Sequence, residues 1–406
     1  MGQKRIYMDH AAGMPVDPRV FDAMKPYMER VGNPSSLNSS GVFAKKAMED
    51  ARKKVANLVG AAKPDEIIFL SGATEANNLA IKGTVQRNAE KGKHIITTKI
   101  EHMSVLNTCK FLENNGFSVT YLPVDRYGTV DMDALRGAIT DKTVLITLAY
   151  ANGEIGTIQP IKEIGAIARG KKIMFHVDGT AAIGKIPVNV VSDNIDLLTI
   201  SSNDIYGPQG VGAIYIRTGV KIMPQIQGGG QERGLRSGTE NVAGIVGFGM
   251  AAEIAKSEMG QESGRLVKLR DALIEKLTKI DKSFLNGHPV NRLPNSVNVR
   301  FSYIEGESII LNLDMAGVEA ATSSACTSKT LEPSHVLLAM GISHADSQGA
   351  LLLTLGRSTT MEDVNYVATE VPKIVERMRS MSPIAAHPEL LDVAYDKEEH
   401  EDEDKD

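Results

Sequence analysis

The chain has 406 residues, 42% hydrophobic and 23% charged, with a formal net charge of −5. That length can bury a large core in two or three domains, and no run of about 18 apolar residues is present that could span a bilayer. The stretch Asp396–Asp406 holds eight acids and two lysines, a charge of −6, so the remainder carries about +1 and gives no support to nucleic-acid binding.

The opening "MGQKRIYMDH" has no apolar signal core, and Ile6 stands where an N-myristoylation pattern wants Ser or Thr. A cytoplasmic location is expected. From residue 65 to about 250, short apolar runs alternate with longer helical patterns. "EIIFLS", "KHIITT", "SVTYLPV", "TVLITLAY", "KIMFHVD", "IDLLTIS" and "GAIYIR" read as strands. "TEANNLAIKGTVQRNAEKG", "MSVLNTCKFLENNG" and "IKEIGAIARGKK" have helical spacing. This alternation predicts an α/β fold with a mainly parallel sheet, whose ligands gather at the carboxyl ends of the strands.

A helical stretch over about 242–280 follows. Beyond it, "PNSVNVRFS" and "ALLLTLG" read as strands, and "ESIILNLDMAG" and "MEDVNYVATEVPKIVERMRSM" as helices. The expected division is 1–255 for an N-terminal segment and large domain, 256–280 for a connecting helix, and 281–383 for a smaller α+β domain. Residues 384–406 form an acidic tail expected to be disordered, and the first few dozen residues are expected to pack with the small domain.

Four loops at predicted strand ends carry unusual residues. Gly72, Ala73 and Thr74 enter a helix whose free amides suit a phosphate, although an ordinary helix start looks the same. His102 follows Glu101 after the second strand. Asp178 ends an apolar strand, where it can hold a proton on a pyridine nitrogen or simply cap a turn. The loop "GGGQERGLRSGTEN", residues 228–241, mixes glycines, two arginines and Thr239 in a composition suited to anions. Apart from that added loop, the fourth strand-end loop, "SSNDIYGPQG", contains Asp204.

Only two cysteines occur, and no CxxC pair, so neither a disulfide framework nor a dedicated zinc site is indicated. Cys109 sits among Val105, Leu106 and Leu112 and reads as core. Cys326 lies in the small-residue segment "TSSACTSKTLEPSH", where Lys329 favours its thiolate, and reads as a reactive thiol.

Taken together, "YMDHAAGMPVDPRV", "GNPSS", "SGATEANN", "EHMSV", "NGEIGTIQPI", "HVDG", "IYGPQGVGAIYIR", "GGGQERGLRSGTEN", "PNSVNVRF", "SSACTS", "LEPSHVL" and "LGR" resemble the pyridoxal-phosphate (PLP)-dependent cysteine desulfurases of iron–sulfur cluster assembly, in the class-V aminotransferase family. The resemblance covers roughly residues 5–383. It implies a fold-type-I transferase with a seven-stranded large-domain sheet, working as a homodimer on L-cysteine and passing sulfur to an iron–sulfur scaffold protein.

By the matching motifs, Ala73, Thr74 and Ser201 hold the phosphate, with Thr239 of the neighbouring subunit. His102 stacks on the ring, Asp178 pairs with the pyridine nitrogen, Asn203 lies at the cofactor and Arg357 takes the substrate carboxylate. Cys326 attacks the substrate sulfur and becomes a persulfide.

The departures from the pattern cluster on the cofactor. Where the family reads "SGHK", this chain has Ser201-Ser202-Asn203-Asp204, so Asp204 occupies the place of the lysine that bonds the cofactor. Gly153 replaces an asparagine, and Ala181 replaces a glutamine. Another branch of the family also has Asp at the lysine place. Losing the lysine's general-base help alone is worth about 10²–10⁴ in rate.

Two readings of different class follow. In the first, an enzyme holds PLP without a covalent link, and Asp204 or His102 moves the proton. In the second, a binding protein retains the dimer and Cys326, which serves as a thiolate ligand to a [2Fe-2S] cluster shared with the scaffold partner or accepts sulfide made elsewhere.

Overall fold

A computed structural model of the chain describes residues 5–323 and 333–381; Cys326 and the acidic tail lie outside the described residues. All seven expected strands form one sheet. In spatial order they are Ile67–Leu70, Gly212–Ile216, Leu197–Ser201, Met174–Asp178, Thr143–Ala149, His94–Thr98 and Ser118–Leu122. Every pairing is parallel except those of Gly212–Ile216, which runs antiparallel to both neighbours.

The runs "IIFL", "LLTIS" and "GAIYI" are buried at every position, as strands covered by helices on both faces must be. At the Ile67–Leu70 edge, Leu70 pairs with Gly212. A Cβ on Gly212 would come within 2.7 Å of Gly72 Cα, so only glycine lets the two segments meet. That contact fixes where the helix Ala73–Arg87 begins.

A second sheet of four antiparallel strands runs Ala321–Thr322, Ala350–Thr354, Ser296–Phe301, Ser283–Leu285. Near the start of the chain, Ile6–Tyr7 pairs in parallel with Val318–Glu319, and Ile6 and Met8 enter the core of this second unit. The helices Pro18–Glu29 and Ser39–Val59 instead pack on the long helix Val242–Leu277.

That 36-residue helix joins the two cores. Ile245, Phe248 and Ala252 belong to the large-sheet core, whereas Leu266, Leu269, Leu273 and Leu277 belong to the second. Each fully buried leucine contributes ~2 kcal/mol, so the helix is anchored at both ends. Among the described residues no helix is long and apolar enough to cross a membrane.

Candidate active site

The carboxyl ends of the central strands bring together most of the residues that the sequence singles out. Asp178, the last residue of Met174–Asp178, is flanked by Ala149 and Thr199 of the adjacent strands. Its side chain is buried. Oδ2 accepts from Asn77 Nδ2 at 2.7 Å, and Oδ1 accepts from the Thr180 amide at 3.0 Å.

Asn77 lies one turn into the helix Ala73–Arg87 and is fully buried. Its Nδ2 also donates to Ser104 Oγ at 2.8 Å, and its Oδ1 accepts from Thr199 Oγ1 at 2.7 Å. Since the Thr199 hydroxyl proton points to Asn77, His176 Nε2 must donate to Thr199 Oγ1 (3.0 Å), and His176 Nδ1 then accepts from Thr147 Oγ1 (2.8 Å). That arrangement is the one a neutral ring makes. Burial supplies it, lowering the His176 pKa to about 4 against the opposing effect of Asp178.

The chain of hydrogen bonds continues outward. Ser104 reaches His102 Nδ1 through its backbone N–H (3.1 Å) and its hydroxyl (2.8 Å), so the imidazole proton sits on Nε2. His102 is also the N-cap of the helix Met103–Glu113. Its ring is exposed over the strand ends while its inner nitrogen is fixed. Asp178, Asn77, Ser104 and His102 are therefore one connected unit.

Ala73 and Thr74 form the first turn of their helix, with Gly72 as N-cap. Thr74 is exposed, and the space above Gly72 is open, with nothing within 4 Å of where a Cβ would stand. A 15-residue helix presents free amides and the positive end of its dipole there.

Asp204 lies in the short turn Asn203–Ile205 directly after the strand Leu197–Ser201. Burial raises its carboxyl above the usual range, and Asp178 adds to this; Lys185, a hydrogen bond from Ser201 and His102 act in the opposite direction. Asp204 thus shares the surroundings of Asp178 and His102. Behind it, Lys185 Nζ donates to the Asp204 carbonyl oxygen at 3.3 Å. Burial lowers the Lys185 pKa, and Asp204 resists that change.

Asn203 is placed differently from its neighbours. Its amide lies against Gly13, and its Oδ1 is buried without a hydrogen-bond partner among the described residues. Ser201 closes the strand and is buried.

Arg357 is not joined to the Asp178 unit. Its guanidinium pairs with Asp17 Oδ2 at 2.6 Å and Glu258 at 3.1 Å, and it lies 4.4 Å from the centre of the Tyr206 ring. Its amide donates to the Tyr206 hydroxyl at 2.8 Å. Through Tyr206 this cluster adjoins the Asp204 turn, and Arg357, Lys185, Glu262 and Asp204 line one cleft.

Thr239 is exposed. The loop that carries it is anchored by Glu232, whose carboxylate receives Arg52 Nη2 at 2.7 Å and the Phe69 amide at 2.7 Å. Its two arginines are ion-paired, Arg233 with Asp65 and Arg236 with Glu75. Cys109 is fully buried, and its thiol is pushed up to about 12 by burial, in keeping with a core role.

Asn77, Ser104, Thr199, His176 and Lys185 carry no role in the sequence reading. Asn77 sits inside the quoted "SGATEANN", and His176 and Thr199 are polar residues within otherwise apolar strands. A buried polar residue in such a run is the one available signal.

The Aminotransferase class-V family model matches residues 6–367. This chain belongs to that family. It is 57% identical to "Cysteine desulfurase IscS 1" of Archaeoglobus fulgidus over 93% of this chain and 99% of that protein. It is 55% identical to "Cysteine desulfurase IscS" of Methanosarcina thermophila over 94% of each. A solved structure described as a NifS-like protein superimposes with a TM-score of 0.86 at 38% identity, over 92% of this chain and 99% of that one.

The cofactor of this family is PLP, and the class-V member described here has matching features. Asp178 offers a carboxylate held by two donors, the helix start at Ala73 offers amides with open space above, and His102 offers an exposed ring joined to Asp178 through Ser104 and Asn77. The tethering amine is the misfit, because Asp204 cannot form an imine. The other residues present fit the cofactor.

Proposed function

We propose that this chain handles sulfur as a cysteine desulfurase-type protein, taking it from L-cysteine onto Cys326 for iron–sulfur cluster assembly, with PLP held without a covalent link. The observation that carries the reading is the connected unit Asp178–Asn77–Ser104–His102 beside a helix N-terminus, present although the lysine position has lost its amine.

When bound, PLP supplies an electron sink for the carbon skeleton of the substrate. Asp178 keeps a proton on the pyridine nitrogen, and Asn77 and the Thr180 amide hold that carboxylate in place. Ala73, Thr74 and Ser201, with Thr239 from a second copy in a homodimer, take the phosphate. The His102 ring covers the cofactor face, and its Nε2 and the Asp204 carboxyl are the two groups placed to move the substrate α-proton. Arg357 receives the cysteine carboxylate in competition with Asp17 and Glu258. Cys326 Sγ bonds to the cysteine sulfur as the carbon–sulfur bond breaks, leaving a persulfide on Cys326 and alanine in solution. A cytoplasmic setting and a scaffold protein as acceptor complete the reading.

A second reading is favoured by one observation: a Cβ placed on Gly153 would lie 3.8 Å from that of Ala181, so the two positions that depart from the family pattern face each other. In that reading the chain binds rather than turns over, and Cys326 ligates a [2Fe-2S] cluster shared with the scaffold partner. Among the described residues no group of three or more His, Cys, Asp or Glu could hold a metal alone.

The deciding experiment incubates the purified protein with PLP and L-cysteine and weighs the Cys326 peptide. One added sulfur above a PLP-only control, absent in Cys326→Ser, is the expected result. No added sulfur sinks the enzyme reading and leaves the binding one.

A further inference from the structure

Converting L-cysteine to alanine takes one proton from the α carbon, returns one to it and adds one to the β carbon. One removal faces two deliveries, so a group that moves these protons must be resupplied from outside the site. Asp204, one of the two proton-moving groups in the proposed function, is half-buried, and the cleft it lines is shared with Lys185 and Glu262.

Lys185 reaches that cleft from a fixed turn. The amides of Ala182 and Ile183 donate to the Gly179 carbonyl at 3.0 and 2.9 Å, and the Lys185 amide donates to the Ala182 carbonyl at 3.0 Å, so the turn leads directly from Asp178. Gly184 has a φ of +76°, and a Cβ there would lie 2.6 Å from Ile205 Cγ2, so the turn packs tightly on the residue after Asp204. From the other side, Ser263 Oγ of the long helix donates to the Lys185 carbonyl at 2.5 Å. Nζ itself donates to the Asp204 carbonyl and has no ion-pair partner among the described residues. Its other hydrogens, or the lone pair of the neutral amine, are left for the cleft.

The cleft has about 30 Å³ of room, enough for one water. Such a water needs polar partners. Asn295 supplies one, since its Oδ1 is buried on the cleft without a hydrogen-bond partner among the described residues. Lys185 Nζ offers a donor from another wall, and Glu262, paired with Arg265 at 2.7 Å, has a side chain that is 25% exposed and so reaches solvent.

We propose that this cleft is a proton inlet for Asp204, with Lys185 and one bound water carrying protons inward from Glu262. The inference rests on the reading of Asp204 as a mover of substrate protons. In each cycle the Lys185 ammonium gives a proton to the Asp204 carboxylate through the water, and the amine left behind recovers one from solvent past Glu262. Burial lowers the Lys185 pKa and raises that of Asp204, which brings donor and acceptor closer together. Ser201, Asp178 and His102 also face Asp204. Tyr206, Glu258 and Arg357 complete the charged and titratable lining of the cleft, and His10 lies within reach of the Lys185 charge.

The test uses the full chain and two readouts. With PLP bound, exchange of the L-alanine α-proton in heavy water is followed by NMR, which needs no sulfur chemistry. Without PLP, the ionisation midpoint of Asp204 is read from the infrared carboxyl band that Asp204→Asn lacks. Lys185→Met is expected to slow exchange about 100-fold, the low end of the effect of lost proton-transfer help, and to raise the Asp204 midpoint, as removing a nearby cation does. Lys185→Arg keeps a cation that cannot release a proton. Its exchange should be as slow as in Lys185→Met while its midpoint stays near the parent's, a split that a charge merely tuning Asp204 would not give. Lys185→Gln keeps a donor for the Asp204 carbonyl, should behave as Lys185→Met, and guards against loss of the fold. Parent-like exchange in Lys185→Arg or Lys185→Gln overturns the inlet and leaves Asp204 a proton mover. If the parent itself exchanges no α-proton while the Asp204 midpoint still rises in Lys185→Met, the reading of Asp204 as a proton mover fails, and the inlet falls with it.

Discussion

Lys185 Nζ donates to the carbonyl oxygen of Asp204 at 3.3 Å, although the two residues come from different loops of the large sheet. The position that has lost its lysine therefore keeps the amine of Lys185 behind it. Asp204 and Lys185 each oppose the other's burial-driven neutralisation, so an aspartate is tolerated here at a lower electrostatic cost than an isolated buried carboxylate would carry. A lysine at 204 would instead meet a like charge and be driven towards the neutral amine, the form that bonds an aldehyde.

Asp204→Lys is therefore expected to restore a covalent link to the cofactor. After incubation with PLP and borohydride, the mass of residue 204's peptide should increase in the variant, with no such adduct in the parent. An adduct in the parent at Lys185 or any other amine would contradict non-covalent binding. Failure of the variant to form one would show that the cofactor lies out of reach of residue 204.

Asn77 offers a second test, because one buried amide serves three partners. Asn77→Ala leaves Asp178 Oδ2 and Thr199 Oγ1 short of a partner, and is expected to cost ~2–3 kcal/mol in urea unfolding. It should also weaken PLP binding about tenfold, the scale of one lost charge-assisted hydrogen bond at Asp178. A destabilised variant with parent-like PLP affinity would separate Asp178 from the cofactor.

These cases show what the sequence could convey. Six of the seven strands were legible as runs buried along nearly their whole length, the partly buried edge strand Ser118–Leu122 was legible from Val119, Tyr121 and Leu122, and Cys109 was legible because its neighbours repeat at helical spacing. The partners of Asp178 were not, since Asn77 lies 101 residues away and Thr199 122 residues from Asn77, joined only when the sheet forms. The arginines of the 228–241 loop looked suited to anions, but Asp65 and Glu75, acids far away in sequence, meet them. Arg357 likewise was named for its motif, while its two acidic partners came from the first helix's cap and the long helix.

Arg357 is tested through Asp17. Asp17→Asn keeps the side-chain oxygen that caps the helix Pro18–Glu29 but removes the charge on Arg357. If Arg357 serves the cysteine carboxylate, this variant should bind L-cysteine about threefold tighter, the scale of a partly exposed ion pair. Arg357→Gln should bind it about tenfold more weakly, as expected for losing a charged partner. Both are read by titrating the PLP-loaded protein with cysteine. Unchanged affinity in Arg357→Gln would make the residue a brace between Tyr206 and the long helix.

Glu101 predicts a pH dependence of stability. Its side chain is buried, with Oε1 accepting from Thr98 Oγ1 at 2.5 Å and Oε2 without a hydrogen-bond partner among the described residues. Burial, with a smaller push from Asp178, raises its pKa from 4.5 to about 8. Between those two values the folded chain holds a proton that the unfolded chain has released. The unfolded state binds fewer protons, so stability falls as pH rises through this window and levels off above it. The loss at pH 8 is a few kcal/mol, ~1.4 for each pH unit of the window at most. Glu101→Gln keeps the shape and cannot ionise. Urea unfolding from pH 5 to pH 8 should therefore show a shallower decline for the variant, with the two proteins closest at the acid end. Parallel curves would mean that Glu101 is ionised in the folded protein at neutral pH.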